Sequence, residues 1–248
     1  MARRELGHRL RAARNLLSLR ALRARPGHCP LCGLTVMLKL AASDIGVRCT
    51  RCGASAITMS LGRVLRAEVP DLAARRVYEL SSRGPLLEFL RARAGSLTCS
   101  EFFDDIAPGG QKDGVRCENV ERLTFPDGAF DLCTSTEVFE HVPDDRAGFR
   151  EIRRVLRAGG AFFFTVPISR AARTVERARR VDGRIEHLLP PEYHGDRIRG
   201  QGEVLVFRDY GRDIVERLLA GGFASATLDE RCAGDYWGYG RPVVVARA

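Results

Sequence analysis

Four cysteines fall into two pairs, Cys29-Pro-Leu-Cys32 and Cys49-Thr-Arg-Cys52, each followed by a glycine, Gly33 and Gly53. Two facing C-x-x-C turns supply the four thiolates of a tetrahedral zinc ion, and the sixteen residues between the pairs suit a short hairpin. The competing readings are a redox C-x-x-C, which would not need two copies, and a pair of disulfides. Four thiolates with no open position hold structure rather than perform chemistry, so activity is expected downstream. A second constellation is Glu137-Val-Phe-Glu140-His141. Spacings of three and four bring Glu137, Glu140 and His141 together on a helical turn. Two carboxylates and an imidazole there make a divalent-ion half-site, favouring magnesium or manganese if waters complete it. The plain alternative is that Glu140 and His141 only cap and order a loop. Glu79 and Glu101 lie 22 residues apart at the ends of two strand-like runs. An acid in the second of these places suits ribose hydroxyls, and the alternative is a surface carboxylate.

Positioning these groups requires alternating strands and helices. Strand-like runs cover 77–80, 96–101, 114–117, 130–135, 161–166, 223–229 and 242–247, with helical runs over 85–94, 145–157 and 209–220. Apolar strands alternating with helices predict an α/β fold, a mostly parallel sheet covered on both faces, with ligands at the carboxyl ends of the strands. The organisation expected is a basic leader helix over 1–25, a zinc ribbon over 26–60, a connection containing Pro70, and one α/β domain over 72–248.

The formal charge of +9 is uneven, since residues 1–28 hold eight arginines against the single acid Glu5. Leu6, Leu10, Leu17 and Leu22 fall near helical spacing, so the leader reads as a basic amphipathic helix. Such a helix suits nucleic acid, an anionic membrane surface or an acidic partner, and equally a solvated helix. No run approaches the ~20 apolar residues of a membrane span, and the start lacks a secretory signal. Thiols at metal spacing favour a reducing compartment, so a cytoplasmic location is expected.

The stretch from Asn119 through Phe130-Asp-Leu-Cys-Thr-Ser135 and Glu137-Val-Phe-Glu-His141, then Glu151-Ile-Arg-Arg-Val-Leu-Arg-Ala-Gly-Gly160 and Phe162-Phe-Phe-Thr-Val-Pro167, closely resembles the class I S-adenosylmethionine-dependent methyltransferases of type 11. The resemblance covers about residues 77–247 and is strongest over 119–167. It implies a Rossmann-like, seven-stranded sheet whose last strand is antiparallel. It places Glu79, Ser81 and Gly84 at the first motif near the methionine end of the cofactor, and Glu101 at the ribose. Asn119 would face the adenine amine, Val120 would offer its backbone N–H to the ring, and Ser135 and Thr136 would lie beneath the sulfonium. The first loop departs from the family, reading Ser81-Ser-Arg-Gly-Pro85 where glycines are usual.

Glu-x-x-Glu-His also resembles a motif of ubiquinone-type O-methyltransferases and small-RNA 3′-end 2′-O-methyltransferases, where a later histidine joins it on a metal. By chain order His187 is the favoured fourth ligand beside Glu137, Glu140 and His141, with His194 the alternative. Without a metal, His141, His187 or His194 is the expected general base. The segment 169–208 reads as substrate apparatus with a basic approach of Arg170, Arg173, Arg177, Arg179, Arg180 and Arg184, or as a solvated helix. The aromatics of Asp235-Tyr-Trp-Gly-Tyr-Gly240 are expected to pack over the sheet edge rather than on substrate. The expectation is O-methylation of a small or glycan-like hydroxyl compound. The alternatives are an RNA methyltransferase, whose relatives include some with a zinc ribbon ahead of this fold, and a non-catalytic binding module.

Overall fold

The computed structural model describes residues 22–196 and 202–248. Most of the expected leader helix therefore lies outside the described residues, and Arg23–Arg25 belong instead to a strand. Strand β1 (Arg23–Cys29) pairs antiparallel with β2 (Gly33–Lys39), which pairs with β3 (Val47–Cys49). Each cysteine knuckle turns on its following glycine, with φ of 89° at Gly33 and 75° at Gly53, conformations that β-carbon sterics deny to most residues.

Helix α1 (Ala56–Glu68) starts at Ser55, whose hydroxyl accepts the Thr58 N–H at 3.2 Å. It crosses the expected ribbon boundary at residue 60. Its buried Met59, Leu61, Val64 and Leu65 belong to a core that also holds Cys29, Leu31, Met37 and Val47 of the ribbon and Val77, Leu132, Phe163 and Val243 of the main sheet. The ribbon is thus packed on one face of the sheet rather than appended to it.

The sheet comprises β4 (Arg76–Glu79), followed by helix α2 (Pro85–Arg91), and β5 (Ser96–Cys99). A small hairpin, β6 (Gln111–Lys112) and β7 (Val115–Arg116), precedes β8 (Phe130–Thr136), helix α3 (Asp145–Val155) and β9 (Leu156–Thr165). Three hairpin-like pairings follow, built from β10 (Val175–Glu176), β11 (Ala178–Val181), β12 (Arg184–His187), β13 (Tyr193–Asp196), β14 (Gly202–Leu205) and β15 (Arg208–Asp209). Helix α4 (Ile214–Ala220), β16 (Ser225–Asp229) and β17 (Val243–Arg247) complete the order.

The main sheet runs β16-β17-β9-β8-β4-β5, parallel from β5 to β9 and antiparallel at β17. This is the Rossmann-like arrangement the motifs imply. Six strands are paired among the described residues; where the seventh was expected, at 114–117, there is a single parallel bridge from Glu101 to Cys117 on the outer edge of β5. The intervening β6–β7 turn draws the chain into its own hairpin and leaves little of it to pair.

Among its described residues the segment 169–208 forms short strands and no helix, although Val175, Ala178, Val181, Ile185 and Leu188 recur at three- and four-residue spacing. On the opposite face from the ribbon, Phe139, Phe149, Phe162 and Phe164 stack with ring centroids 4.3–5.9 Å apart under α3.

Candidate active site

The chain leaves β4, goes outward to β5, then returns to β8 on the other side of β4. That reversal is the switch point, where open α/β sheets bind ligands beyond the carboxyl ends of their strands. Glu79, Ser81–Gly84, Glu101, Ser135 and Thr136 all sit at or just beyond those ends.

Glu79 is buried, and burial pushes its carboxyl up to about 8 even though the Thr134 hydroxyl donates to it. It is therefore largely protonated near neutrality. Glu101, beyond the end of β5, uses Oε1 to gather the first loop. That oxygen accepts the Ser82 N–H at 2.7 Å, the Ser82 hydroxyl at 2.9 Å and the Ser81 hydroxyl at 3.2 Å. The serines that replace the expected glycines thus tie the loop to the acid. Gly84 keeps φ at 104°, and a β-carbon there would meet nothing within 4 Å. Its glycine is required by backbone conformation and leaves the space beside the loop open. Arg83 is exposed. Asn119 spends its Oδ1 on the Glu121 N–H at 2.9 Å, and Val120 is half-buried against the aromatic core. Glu118, which the motif reading passed over, is the buried acid here, bound by the Thr124 N–H at 2.9 Å and Arg116 Nε at 2.6 Å.

Among the described residues, the buried hydroxyls Ser135 Oγ and Thr136 Oγ1 at the end of β8 have no hydrogen-bond partner, and Thr165 Oγ1 at the end of β9 has only the Glu137 carboxylate beside it. Unsatisfied buried polar atoms are costly, so a cluster of them at a switch point marks a place where a ligand supplies the partners. These groups and the acid-held loop fit an adenosyl cofactor with a ribose at Glu101.

The second cluster lies at the turn after β8. Glu140 is 1% exposed and neither carboxylate oxygen has a hydrogen-bond partner. Burial, reinforced by the charge of Glu137, raises its carboxyl well above the usual range. His141 Nε2 lies 3.6 Å and His194 Nδ1 3.9 Å from Glu140 Oε1, and the two imidazoles meet edge to face at 4.9 Å. His141 Nδ1 is 2.9 Å from the Leu205 carbonyl. A carbonyl only accepts, so Nδ1 carries a proton, and it is Nε2 that faces Glu140. One ligand atom each from Glu140, His141 and His194 can be drawn within 4.8 Å of the others.

The structure does not bring His187 or Glu137 into that group. His187 pairs with Ala178 on an exposed hairpin strand. Glu137, at a positive φ of 53°, turns to Arg241, whose NH2 is 3.0 Å from its Oε2. Order along the chain favours His187, but the hairpin β13–β14 instead carries His194 to the site. His194 pairs with Val204, the neighbour of the Leu205 that holds His141. The expected basic approach is mostly neutralised. Arg173 pairs with Glu216, Arg177 with Asp209 and Glu192, Arg179 with Glu186 and Arg180 with Glu121.

At the ribbon, the four sulfurs of Cys29, Cys32, Cys49 and Cys52 also lie within 4.8 Å of one another, with Cys29–Cys52 at 3.7 Å and Cys32–Cys49 at 3.5 Å. A tetrahedron with Zn–S bonds of about 2.3 Å has sulfur–sulfur edges of about 3.8 Å, so the geometry fits zinc. Burial pushes the Cys29 thiol up to about 11. Burial alone would also raise Cys49, but the Thr35 hydroxyl and the backbone N–H groups of Cys52 and Arg51 outweigh it and hold that thiol at about 6. Tyr236, Trp237 and Tyr239 pack on this ribbon core rather than over a sheet edge, with Arg25 stacked 4.4 Å from the Trp237 ring.

Comparison with known proteins agrees with this geometry. A family model described as a methyltransferase domain matches residues 52–164. The ubiquinone biosynthesis O-methyltransferase of Xanthomonas oryzae pv. oryzae is 32% identical over 105 residues, 38% of this chain and 44% of that protein. The sarcosine/dimethylglycine N-methyltransferase of Halorhodospira halochloris is 48% identical over 48 residues, 19% of this chain and 17% of that protein. The chain thus spans less than half the length of these curated relatives. The crystal structure of an S-adenosylmethionine dependent methyltransferase from Mesorhizobium loti superposes with a TM-score of 0.50 at 19% identity, covering 76% of this chain and 98% of that one, a likeness of fold. Over residues 52–164 this chain is thus similar to a methyltransferase domain, and its sheet order is like that of an S-adenosylmethionine-dependent methyltransferase of known structure.

Proposed function

We propose that this protein transfers a methyl group from S-adenosylmethionine to a hydroxyl of a small or glycan-like substrate, with Glu140, His141 and His194 at the reacting oxygen. The observation that carries the reading is Glu140, a fully buried acid with no partner on either oxygen, facing two imidazoles at the carboxyl end of the sheet. Such a group is a ligand for a cation or the holder of a proton, since otherwise it only costs stability.

Glu101 holds the ribose hydroxyls of the cofactor and, through Ser81 and Ser82, the loop beside it. The cofactor supplies an electrophilic methyl group. The rest of the work is alignment and proton handling by this chain. Without an ion, His141, with its orientation fixed by the Leu205 carbonyl, presents Nε2 to accept the substrate's proton, and Glu140 and His194 bracket the same point. A divalent ion held by Glu140, His141 and His194 would lower the pKa of a bound hydroxyl. Two imidazoles with one carboxylate suit manganese, zinc or iron better than magnesium. Zinc at the four cysteines is the structural ion of the same reading.

Calorimetric titration with S-adenosylhomocysteine, followed by manganese, zinc and magnesium in turn, tests this. Micromolar binding of the nucleoside and of one transition-metal ion beyond the cysteine-bound zinc is the expected result. No nucleoside binding at millimolar concentration leaves a non-catalytic module as the better reading.

A second reading, methylation of RNA, is favoured by a cavity of about 560 Å³ between ribbon and α1 lined by Arg25, His28, Arg63 and Arg66, with Asp235 its one acid. A steep loss of RNA binding between 50 and 200 mM salt is its signature. Among the described residues no helix is long and apolar enough to cross a membrane; thiols at metal spacing favour a reducing compartment, the cytoplasm on this reading.

A further inference from the structure

The ribbon loop reaches the carboxyl end of the main sheet. Between β2 and β3, residues 40–46 close on themselves through the Leu40 N–H to the Gly46 carbonyl at 2.8 Å and the Gly46 N–H to the Ser43 carbonyl at 3.1 Å. A β-carbon at Gly46 would fall 2.8 Å from Ala41, so the loop has one tight path. Asp44 stands on it, its Oδ1 fixed by the Ile45 N–H at 2.8 Å and its Oδ2 2.6 Å from Arg241 NH2. The same NH2 holds Glu137 Oε2 at 3.0 Å, while the Arg241 N–H donates to Ser60 of α1 at 3.0 Å. One arginine thus joins the ribbon, α1 and the residue that directly follows β8. Glu137 is in the left-handed region at φ 53°, and its second oxygen is buried beside the Thr165 hydroxyl without a well-formed hydrogen bond. A non-glycine residue held there needs its surroundings to hold it, and strain of this kind gathers where ligands bind.

We propose that the zinc ribbon forms a wall of the ligand site, with Asp44 and Arg241 as positioning residues that aim Glu137 at the bound nucleoside. The inference rests on the methyltransferase reading and adds to it a task for the ribbon beyond stability. Asp44 follows β2 and precedes the zinc ligand Cys49 by five residues, so the ion that fixes Cys49 also fixes the loop. Glu137 Oε1 and Thr165 Oγ1 are buried together at this end of the sheet with acceptor capacity to spare, and the amine of an amino-acid ligand is a donor of the right chemistry.

The test is a double-mutant cycle read by calorimetric affinity for S-adenosylhomocysteine, using the full chain with zinc bound. Asp44→Asn keeps the shape and the Ile45 contact but weakens the grip on Arg241, and about a fivefold loss of affinity is expected. Glu137→Gln is expected to lose about tenfold, and the double variant no more than Glu137→Gln alone, because Asp44 acts through Glu137. Asp44→Glu, which restores the charge, is expected to return affinity to within about twofold of the parent. Retained zinc stoichiometry in each variant shows that the ribbon is intact. Unchanged affinity in Asp44→Asn, or a double variant showing the product of the single losses, overturns the inference while leaving the methyltransferase reading in place. A parent protein that fails to bind the nucleoside overturns both.

Discussion

The two clusters that could hold a metal are built on opposite plans. Cys29, Cys32, Cys49 and Cys52 come from two tight turns within 24 residues, and the chain supplies all four corners. Glu140, His141 and His194 come from a turn after β8 and from a hairpin more than 50 residues further on, and they supply three. A closed set of soft ligands has no position left for a reactant, whereas an incomplete set of mixed ligands does. The first plan therefore suits a structural ion, and the second leaves room for a reactant. The structure adds that the first also leans on the neighbourhood of the second through Asp44 and Arg241.

The largest effect expected is at the closed cluster. Cys49→Ser is expected to take zinc, measured by metal analysis after dialysis, from about one equivalent to none. Structural zinc contributes about 10 kcal/mol or more to folding of small zinc domains, and this ribbon shares the main core, so the cooperative melt should collapse with it. Stoichiometric zinc in that variant would break the contrast at its first term.

At the open cluster, His194→Ala is expected to weaken manganese or zinc binding at the second site by about 100-fold, whereas His187→Ala should stay within about twofold. Equal losses would return His187 to the site and undo the spatial argument. Glu101→Gln tests whether the cofactor end is independent of both clusters. It is expected to lose about 10- to 100-fold in S-adenosylhomocysteine affinity, the worth of charge-assisted hydrogen bonds, with both metal occupancies unchanged.

The smallest effect sharpens what an unpartnered acid means. Glu79 is buried like Glu140 but has the Thr134 hydroxyl as a partner. Its folded pKa of about 8 is raised above the ordinary 4.5. Its contribution is therefore full below pH about 4.5 and is lost as pH rises towards 8, by at most about 1.4 kcal/mol per unit. Denaturant melts at pH 5.5 and 8 should show the parent losing stability relative to Glu79→Gln. Parallel pH profiles would show that Glu79 is ionised in the fold.

What the amino-acid sequence disclosed follows the same division. The cysteine site was legible because its ligands sit at fixed short spacings, and a thiol quartet has few other uses. The α/β sheet was legible from runs such as β8 and β9, whose apolar residues read as buried strands. His194 was not, because spacing along a chain says nothing about which of two hairpins folds back; β12 leaves His187 exposed while β13 carries its histidine to Glu140. The task of Asp44 and Arg241 was equally hidden, since 197 positions separate them and neither stands in a motif. The first loop looked degraded by its missing glycines, and only the contacts of Ser81 and Ser82 with Glu101 show that serines can order it.

The pairing of β17 between β9 and β16 has a consequence for biosynthesis. Val243 and Val245 of that strand lie in one core with Cys29, Leu31 and Met37 of the ribbon. Some two hundred residues must leave the ribosome after the second cysteine pair before the ribbon finds the complete surface it packs on. A thiol quartet can capture its ion early, but the long-range contacts of the ribbon with Val243 and Val245 form late. Over that interval the ribbon's apolar face waits uncovered, and an ion bound early at the four cysteines would keep them from pairing with other thiols.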